Sequence, residues 1–380
     1  MKRKTRILLI IIVVIIVLFI LIYPMTPVWQ KLGLEPFCIQ GEFPRLKLVS
    51  CSGSQEPPVT ALPLPTPGAD GPLPIIFDDD GSPDGMVALL YFLDNPLFDV
   101  RAVTISYGEA HPAQFAPYVA QLLAALGRTD IPVGYGQDAP LAGSNAFPDP
   151  WRQDTETFWG VQLPAAGAAL ASVEAVPLII ETISTSPTPV TIFLSGSHTN
   201  LAEALRLDST IAGNIRNVYI MGGAVEVPGN IHSDWPEFGN ETAEWNIWVD
   251  TTAASEVFTS GLDLHLIPLD ATRQVLWSTS DASSWEVKGS PEGFLAADLL
   301  RMMLDAWSVE SAYVWDLVAA VQTTLPSVCP EISTSLQVIT SPGPDEGRTM
   351  MVDGAANVSV CLNPDPLKVK GLVLSAFQVP

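Results

Sequence analysis

Residues 75–93 read IIFDDDGSPDGMVALLYFL. An apolar run enters three consecutive aspartates, Asp78, Asp79 and Asp80. A Gly-Ser-Pro turn follows, then Asp84 and a second apolar stretch. The first run has the character of a buried strand, and GMVALLYFL has helical length and spacing. Carboxylates crowded into one strand-to-helix turn repel one another. A cation, shared protons or the donors of a ligand must offset that repulsion.

Working outward, short apolar runs alternate with helix-like stretches. VRAVTIS at 100–106, VTIFLS at 190–195, NVYIMGG at 217–223 and LDLHLIPLD at 262–270 read as strands. FAPYVAQLLAALG at 115–127 reads as a helix ended by Gly127, and NLAEALRL as another. The alternation predicts an α/β fold: an open, mostly parallel sheet with flanking helices. Ligands of such sheets bind beyond the carboxyl ends of the strands. The aspartates occupy that position after the strand at 75–77. SGSHTN, MGG and DAT occupy it after three others.

The chain has 380 residues, 48% of them hydrophobic, and a formal charge of −23 from 41 acidic and 18 basic residues. That length supports a sizeable core. The negative charge repels phosphate, so no nucleic-acid partner is expected. MKRKTR precedes a continuous apolar run over residues 7–23. This pattern predicts a signal-anchor or transmembrane helix with the rest of the chain outside the cytoplasm; a secreted form after cleavage is the alternative. LVSC at 48–51 lies too far beyond the run to act as a lipoprotein signal. The expected organisation is an anchor at 1–23, a juxtamembrane segment at 24–51, a Pro-rich extended linker at 52–74 and one domain at 75–380. Cys38, Cys51, Cys329 and Cys361 allow three disulfide pairings, and proximity favours Cys38–Cys51 with Cys329–Cys361.

Taken alone, the aspartate loop admits a haloacid-dehalogenase-type phosphatase. That chemistry needs a lysine for the phosphoryl group, and the chain has none between Lys47 and Lys288. More of the chain resembles the inosine–uridine-preferring nucleoside hydrolases. IIFDDDGSPDGMVALL is similar to their D-x-D-P-G-x-D-D signature. GRTDIPVGYG at 127–136, LSGSHTNLAEAL at 194–205 and YIMGGAV at 219–225 resemble later motifs in family order. So do GN at 229–230, AEWNIWVD at 243–250 and YVWDLVAA at 313–320.

The resemblance implies hydrolysis of the N-glycosidic bond of a small-molecule ribonucleoside, with calcium as cofactor. It assigns Asp80 as general base and metal ligand, and Asp84 as ribose partner and metal-site residue. Thr199 would give calcium a backbone carbonyl, and Asp316 would bind calcium and ribose. Glu109, Met221, Asn230, Glu244 and Asn246 take ribose-side positions. Trp315 takes the place where pyrimidine-accepting members carry a histidine, which implies stacking on a purine base. Trp151 and Trp159 are candidates for the second face. Asp78 is expected to support the loop, and Asp270 to brace a neighbouring one. The histidines His111, His198, His232 and His265 are expected to pack or face solvent.

Blander roles stand beside these. Asp80 and Asp84 could be helix N-caps, Asn200 the cap of a helix at 201–207, and Trp315 core. The chain also departs from the family pattern. Gly85 stands where a metal-chelating aspartate is usual, with Asp79 or water as a substitute, and Glu109 replaces an asparagine. A ribose-binding module without catalysis is therefore the second reading. An oligomer is compatible with the sequence.

Overall fold

A computed structural model describes residues 37–40, 47–50, 59–165 and 171–378. It divides into two units, Met1–Pro58 and Val59–Pro380. In the first, strands Phe37–Gln40 and Lys47–Ser50 pair antiparallel. The apolar run at 7–23 and Cys51 lie outside the described residues. Among the described residues no helix is long and apolar enough to cross a membrane.

The second unit is built on a nine-stranded sheet. Its strands are β1 (Leu73–Asp79), β2 (Phe98–Ile105), β3 (Val133–Tyr135), β4 (Val173–Glu174), β5 (Val190–Ser195), β6 (Ile215–Met221), β7 (Leu264–Ile267), β8 (Glu331–Thr334) and β9 (Val358–Cys361). They lie in the order β8-β9-β7-β6-β5-β1-β2-β3-β4. Every pairing is parallel except that of the edge strand β8 with β9. This is the open, mostly parallel sheet expected from the alternation of runs.

β1 is central, between β2 and β5. Buried on both faces, it reads as a continuous apolar run rather than an alternating one. Ile75 and Phe77 join the core on one side, and Ile76 the core on the other. On the first side lie α1 (Pro83–Asp94), α2 (Pro112–Ala125), α3 (Pro291–Trp307) and α4 (Trp315–Thr324). Met86 through Phe92 of α1 are fully buried, so this helix runs through the protein interior. α3 and α4 both pack against it.

The Pro-rich segment departs from a free linker. From Val59 onward it belongs to the compact unit, with Val59, Leu62 and Leu64 packed on the core. The Leu62 amide donates to the Gly371 carbonyl at 3.0 Å. A Cβ at Gly371 would lie 2.6 Å from the Thr60 carbonyl oxygen, so glycine is what admits the strip there. Leucines and a valine among the prolines give the segment apolar area to bury.

Cys329 and Cys361 form the expected disulfide, with Cα atoms 5.6 Å apart. It closes a sequence separation of 32 residues beside the β8–β9 pair. Replacing both cysteines with serine is expected to lower unfolding stability by about 3–4 kcal/mol. Denaturant titration of the two proteins measures this; an unchanged midpoint would show that the bond does not restrict the unfolded chain.

Candidate active site

The aspartate loop is shaped by one glycine and one serine. Gly81 has φ +84°, and a Cβ there would lie 2.4 Å from the Ala110 side chain. Ser82 caps α1, its Oγ accepting from the Gly85 amide at 2.9 Å. The cap role offered to Asp80 and Asp84 therefore belongs to Ser82. The same hydroxyl donates to Asp316 Oδ2 at 3.1 Å and links the starts of α1 and α4. The Asp316 amide donates to Asp84 Oδ2 at 3.2 Å. Both acids lie in the first turn of a helix, where unpaired N–H groups favour negative charge.

Asp80 lies at the carboxyl end of β1. The Glu109 amide donates to its Oδ2 at 3.1 Å, and the Ala110 amide to its carbonyl at 2.8 Å. Two glycines make room for it. A Cβ at Gly108 would fall 2.2 Å from Asp80 Oδ2, and one at Gly196 would fall 2.6 Å from Asp80 Cβ. Asp78 faces away, accepting from Thr104 Oγ1 at 2.7 Å and Asn200 Nδ2 at 2.8 Å. Asn200 is thus a partner of Asp78 and not a helix cap; the helix begins at Thr199, after His198. Asp79 accepts from the Gly81 amide and from Ser195 Oγ, each at 2.8 Å.

The opposite wall comes from the ends of β5 and β6. Glu244 caps the helix Trp245–Val249 and also accepts from the Gly223 amide at 2.8 Å. Asn246 Nδ2 donates to the Ser195 carbonyl at 3.3 Å and the Met221 carbonyl at 3.2 Å, tying the two strand ends together. Asn230 Oδ1 accepts from the Trp245 amide at 3.2 Å. Thr199 Oγ1 donates to Asp250 Oδ2 at 2.7 Å. Asp270 braces its loop by accepting from the Val225 and Glu226 amides.

Beside these residues opens a cleft of about 1470 Å³, lined by Asp80, Asp84, Glu109, Met221, Asn230, Glu244, Asn246, Trp315 and Asp316 among others. Thr199, Asp78 and Asp79 are buried and do not themselves line the cleft. Trp151 and Trp159 both line the cleft. Trp315 is half-buried in the lining and not sealed in the core; Trp307 and Tyr313 flank it at 6.3 and 5.8 Å between ring centres. None of the four histidines is among the described lining residues. His265 pairs with Glu331 and His111 with Asp138.

Sequence reasoning missed Ser82, Asp154, Asp234, Arg273 and Asp305, which also line the cleft. Ser82 carried a signal, a serine directly before proline at a helix start. Arg273, the one basic side chain among the described lining residues, carried none.

Burial dominates the electrostatics. It pushes Asp78 up to about 7, against hydrogen bonds from Thr104 and Asn200 that oppose the rise. It pushes Asp79 to about 8 and Glu244 to about 7. Asp80 is raised well above the carboxylate range by burial and then by the charges of Asp79 and Glu109. Asp316 is raised likewise by burial and the charges of Asp84, Asp79 and Asp80. A divalent cation among these groups would favour their charged forms.

The available donors are oxygens, which fits a hard cation such as calcium. Among the described residues no three acidic or histidine side chains form a cage on their own. Backbone, water or substrate oxygens would therefore complete the roughly 6–8 ligands calcium takes.

The family model described as "Inosine-uridine preferring nucleoside hydrolase" matches residues 75–370. The chain belongs to that family. It is accordingly a nucleoside hydrolase, acting on the N-glycosidic bond of ribonucleosides. Membership removes the phosphatase reading, and among the described residues no lysine lines the cleft.

The chain is 34% identical over 233 residues to the pyrimidine-specific ribonucleoside hydrolase RihA of Citrobacter koseri, covering 61% of this chain and 72% of the relative. It is 33% identical over 248 residues to RihA of Escherichia coli, covering 65% and 76%. Its fold is similar to the plant nucleoside hydrolase PpNRh1 (TM-score 0.71, 26% identity, 81% of this chain and 100% of that one). It is also similar to a purine-preferring ribonucleoside hydrolase from Gardnerella vaginalis (TM-score 0.69, 22% identity, 80% and 98%).

The buried acids give this nucleoside hydrolase a pH signature. Asp78, Asp79 and Glu244 keep protons in the folded chain that the unfolded chain releases near the ordinary values of 3.8 and 4.5. Between there and about pH 7–8 the folded state binds more protons, so stability falls as pH rises through that window. In chelating buffer the Tm should drop between about pH 5 and about pH 8, and Asp78→Asn should flatten the drop. A variant with the wild-type slope would refute the contribution of Asp78.

Proposed function

We propose that the cleft hydrolyses purine-type ribonucleosides, with Asp80 as the base that takes a proton from the attacking water. The position of Asp80 carries this reading. It is buried at the end of the central strand, opens onto the cleft and is given room by Gly108 and Gly196.

As the C1′–N bond breaks, positive charge develops on the sugar, and the negative charge of Asp84, Glu244 and Asp316 stabilises it in this reading. Asp84, Asn230 and Asp316 are the proposed partners of the ribose hydroxyls, together with Glu244 and Asn246. Three backbone N–H groups orient Glu244, so its oxygens are already in place when a hydroxyl arrives. The Asn246 nitrogen is held by the strand ends, and its oxygen is the atom offered to the sugar. Glu109 and Met221 line the same space. Asp80, Asp84, Asp316 and the Thr199 carbonyl are the proposed hosts of calcium. When bound, calcium supplies a coordinated water of lowered pKa.

For the leaving base, Trp315 offers a flat face in the cleft lining, and Trp159 or Trp151 a second. Phe158 and Trp159 both adopt φ of +51°, a strained conformation for aromatic residues that presents Trp159 at the cleft.

Pyrimidine nucleosides are the second reading, favoured by the specificity in the RihA names. A binding module without catalysis rests on Gly85. The basic residues followed by the apolar run at 7–23 support a membrane-anchored enzyme facing outward.

Ribose release from inosine and uridine separates these readings. Inosine should be the better substrate by kcat/KM, and a preference for uridine would transfer the assignment to pyrimidines. Asp80→Ala should lower kcat by about 10²–10⁴-fold; binding without ribose release by the wild type would instead establish the module. Trp315→Ala should slow inosine by about tenfold while leaving inhibition by ribose unchanged. Equal losses in both would refute stacking.

A further inference from the structure

We propose that Asp79 supplies, from the end of β1, the metal-binding carboxylate that position 85 lacks. The inference rests on the reading above in one respect, that the cleft binds a divalent cation.

The observation is steric. A Cβ built on Gly85 would lie 1.9 Å from Asp79 Oδ2, 2.5 Å from Asp79 Cγ and 2.7 Å from Asp79 Oδ1. Real Cβ atoms do not approach that closely. The whole Asp79 carboxylate therefore occupies the space into which a side chain at 85 would project. An aspartate at 85 and the present Asp79 conformer exclude each other, so the chain has room for one carboxylate there and draws it from position 79.

The carboxylate is held in place without being used up. Each oxygen accepts one hydrogen bond, Oδ1 from the Gly81 amide and Oδ2 from Ser195 Oγ. A carboxylate offers about four lone-pair sites, so lone pairs remain for a cation. Asp79 is also near enough that its charge acts on both Asp80 and Asp316, the acids it would join. Ser82 holds the Gly85 amide, which keeps the helix start and the carboxylate in register.

Calcium titration of the full-length chain by calorimetry tests this, with Tm and ribose release from inosine recorded in parallel. Asp79→Asn should weaken calcium binding by about tenfold or more. Gly85→Asp alone should lower the Tm, because two carboxylates then compete for one space. The exchange variant Asp79→Ser with Gly85→Asp should bind calcium more tightly than Asp79→Ser alone, by about tenfold. The loss in Asp79→Asn tests Asp79 as the ligand, and the gain in the exchange variant tests the shared space.

Wild-type calcium affinity in Asp79→Asn would overturn the inference and leave the hydrolase reading intact, as would an exchange variant no better than Asp79→Ser. A wild-type chain that releases ribose but binds no calcium would overturn the inference together with the proposed metal. A chain with neither property would overturn the functional reading as well.

Discussion

The burial of acids at the end of one strand is the constraint on which this protein turns. Asp78, Asp79 and Asp80 follow an apolar run that forms the middle of the sheet, and all three are almost wholly buried. Isolated carboxylates in such a place are costly. Each is therefore provided for separately: Asp78 by Thr104 and Asn200, Asp79 by Gly81 and Ser195, Asp80 by the Glu109 amide. Those partners come from the neighbouring strands and the loops that follow them, so the site and the sheet order depend on each other.

The fold was readable because its signals are local. Continuous apolar runs separated by helix-length segments specify buried parallel strands, and β1, β2, β5, β6 and β7 lie where the runs fall. The edge strand β8 and the docking of residues 59–72 were not readable in this way. Antiparallel pairing of β8 with β9 depends on a distant partner. The proline-rich strip reads as a free linker, but its leucines find the core beside a partner, Gly371, far along the chain.

The site was readable in parts, for the same reason. Residues at strand ends, such as Asp80 and Met221, could be placed from the order of elements. Asp316 and Trp315 could be placed only through a resemblance, since nothing local brings the start of α4 to the start of α1. The bond from Ser82 to Asp316 is the physical link, and a serine in a turn does not announce a partner 234 positions away. Asn200 reads as a cap because the side chain that claims it, Asp78, is distant in sequence. Arg273 reaches the cleft from the helix after β7, with no pattern to mark it.

The collision between position 79 and position 85 also limits how this chain could have arisen. Consider an ancestor with a small residue at 79 and an aspartate in place of the present glycine. Either single substitution then passes through a poorer intermediate. Gaining the carboxylate at 79 first crowds the loop, and losing the one at 85 first empties it. On the proposal that Asp79 stands in for a carboxylate at 85, the two positions would be inherited together, and a column-by-column reading of the motif would mistake an exchange for a loss.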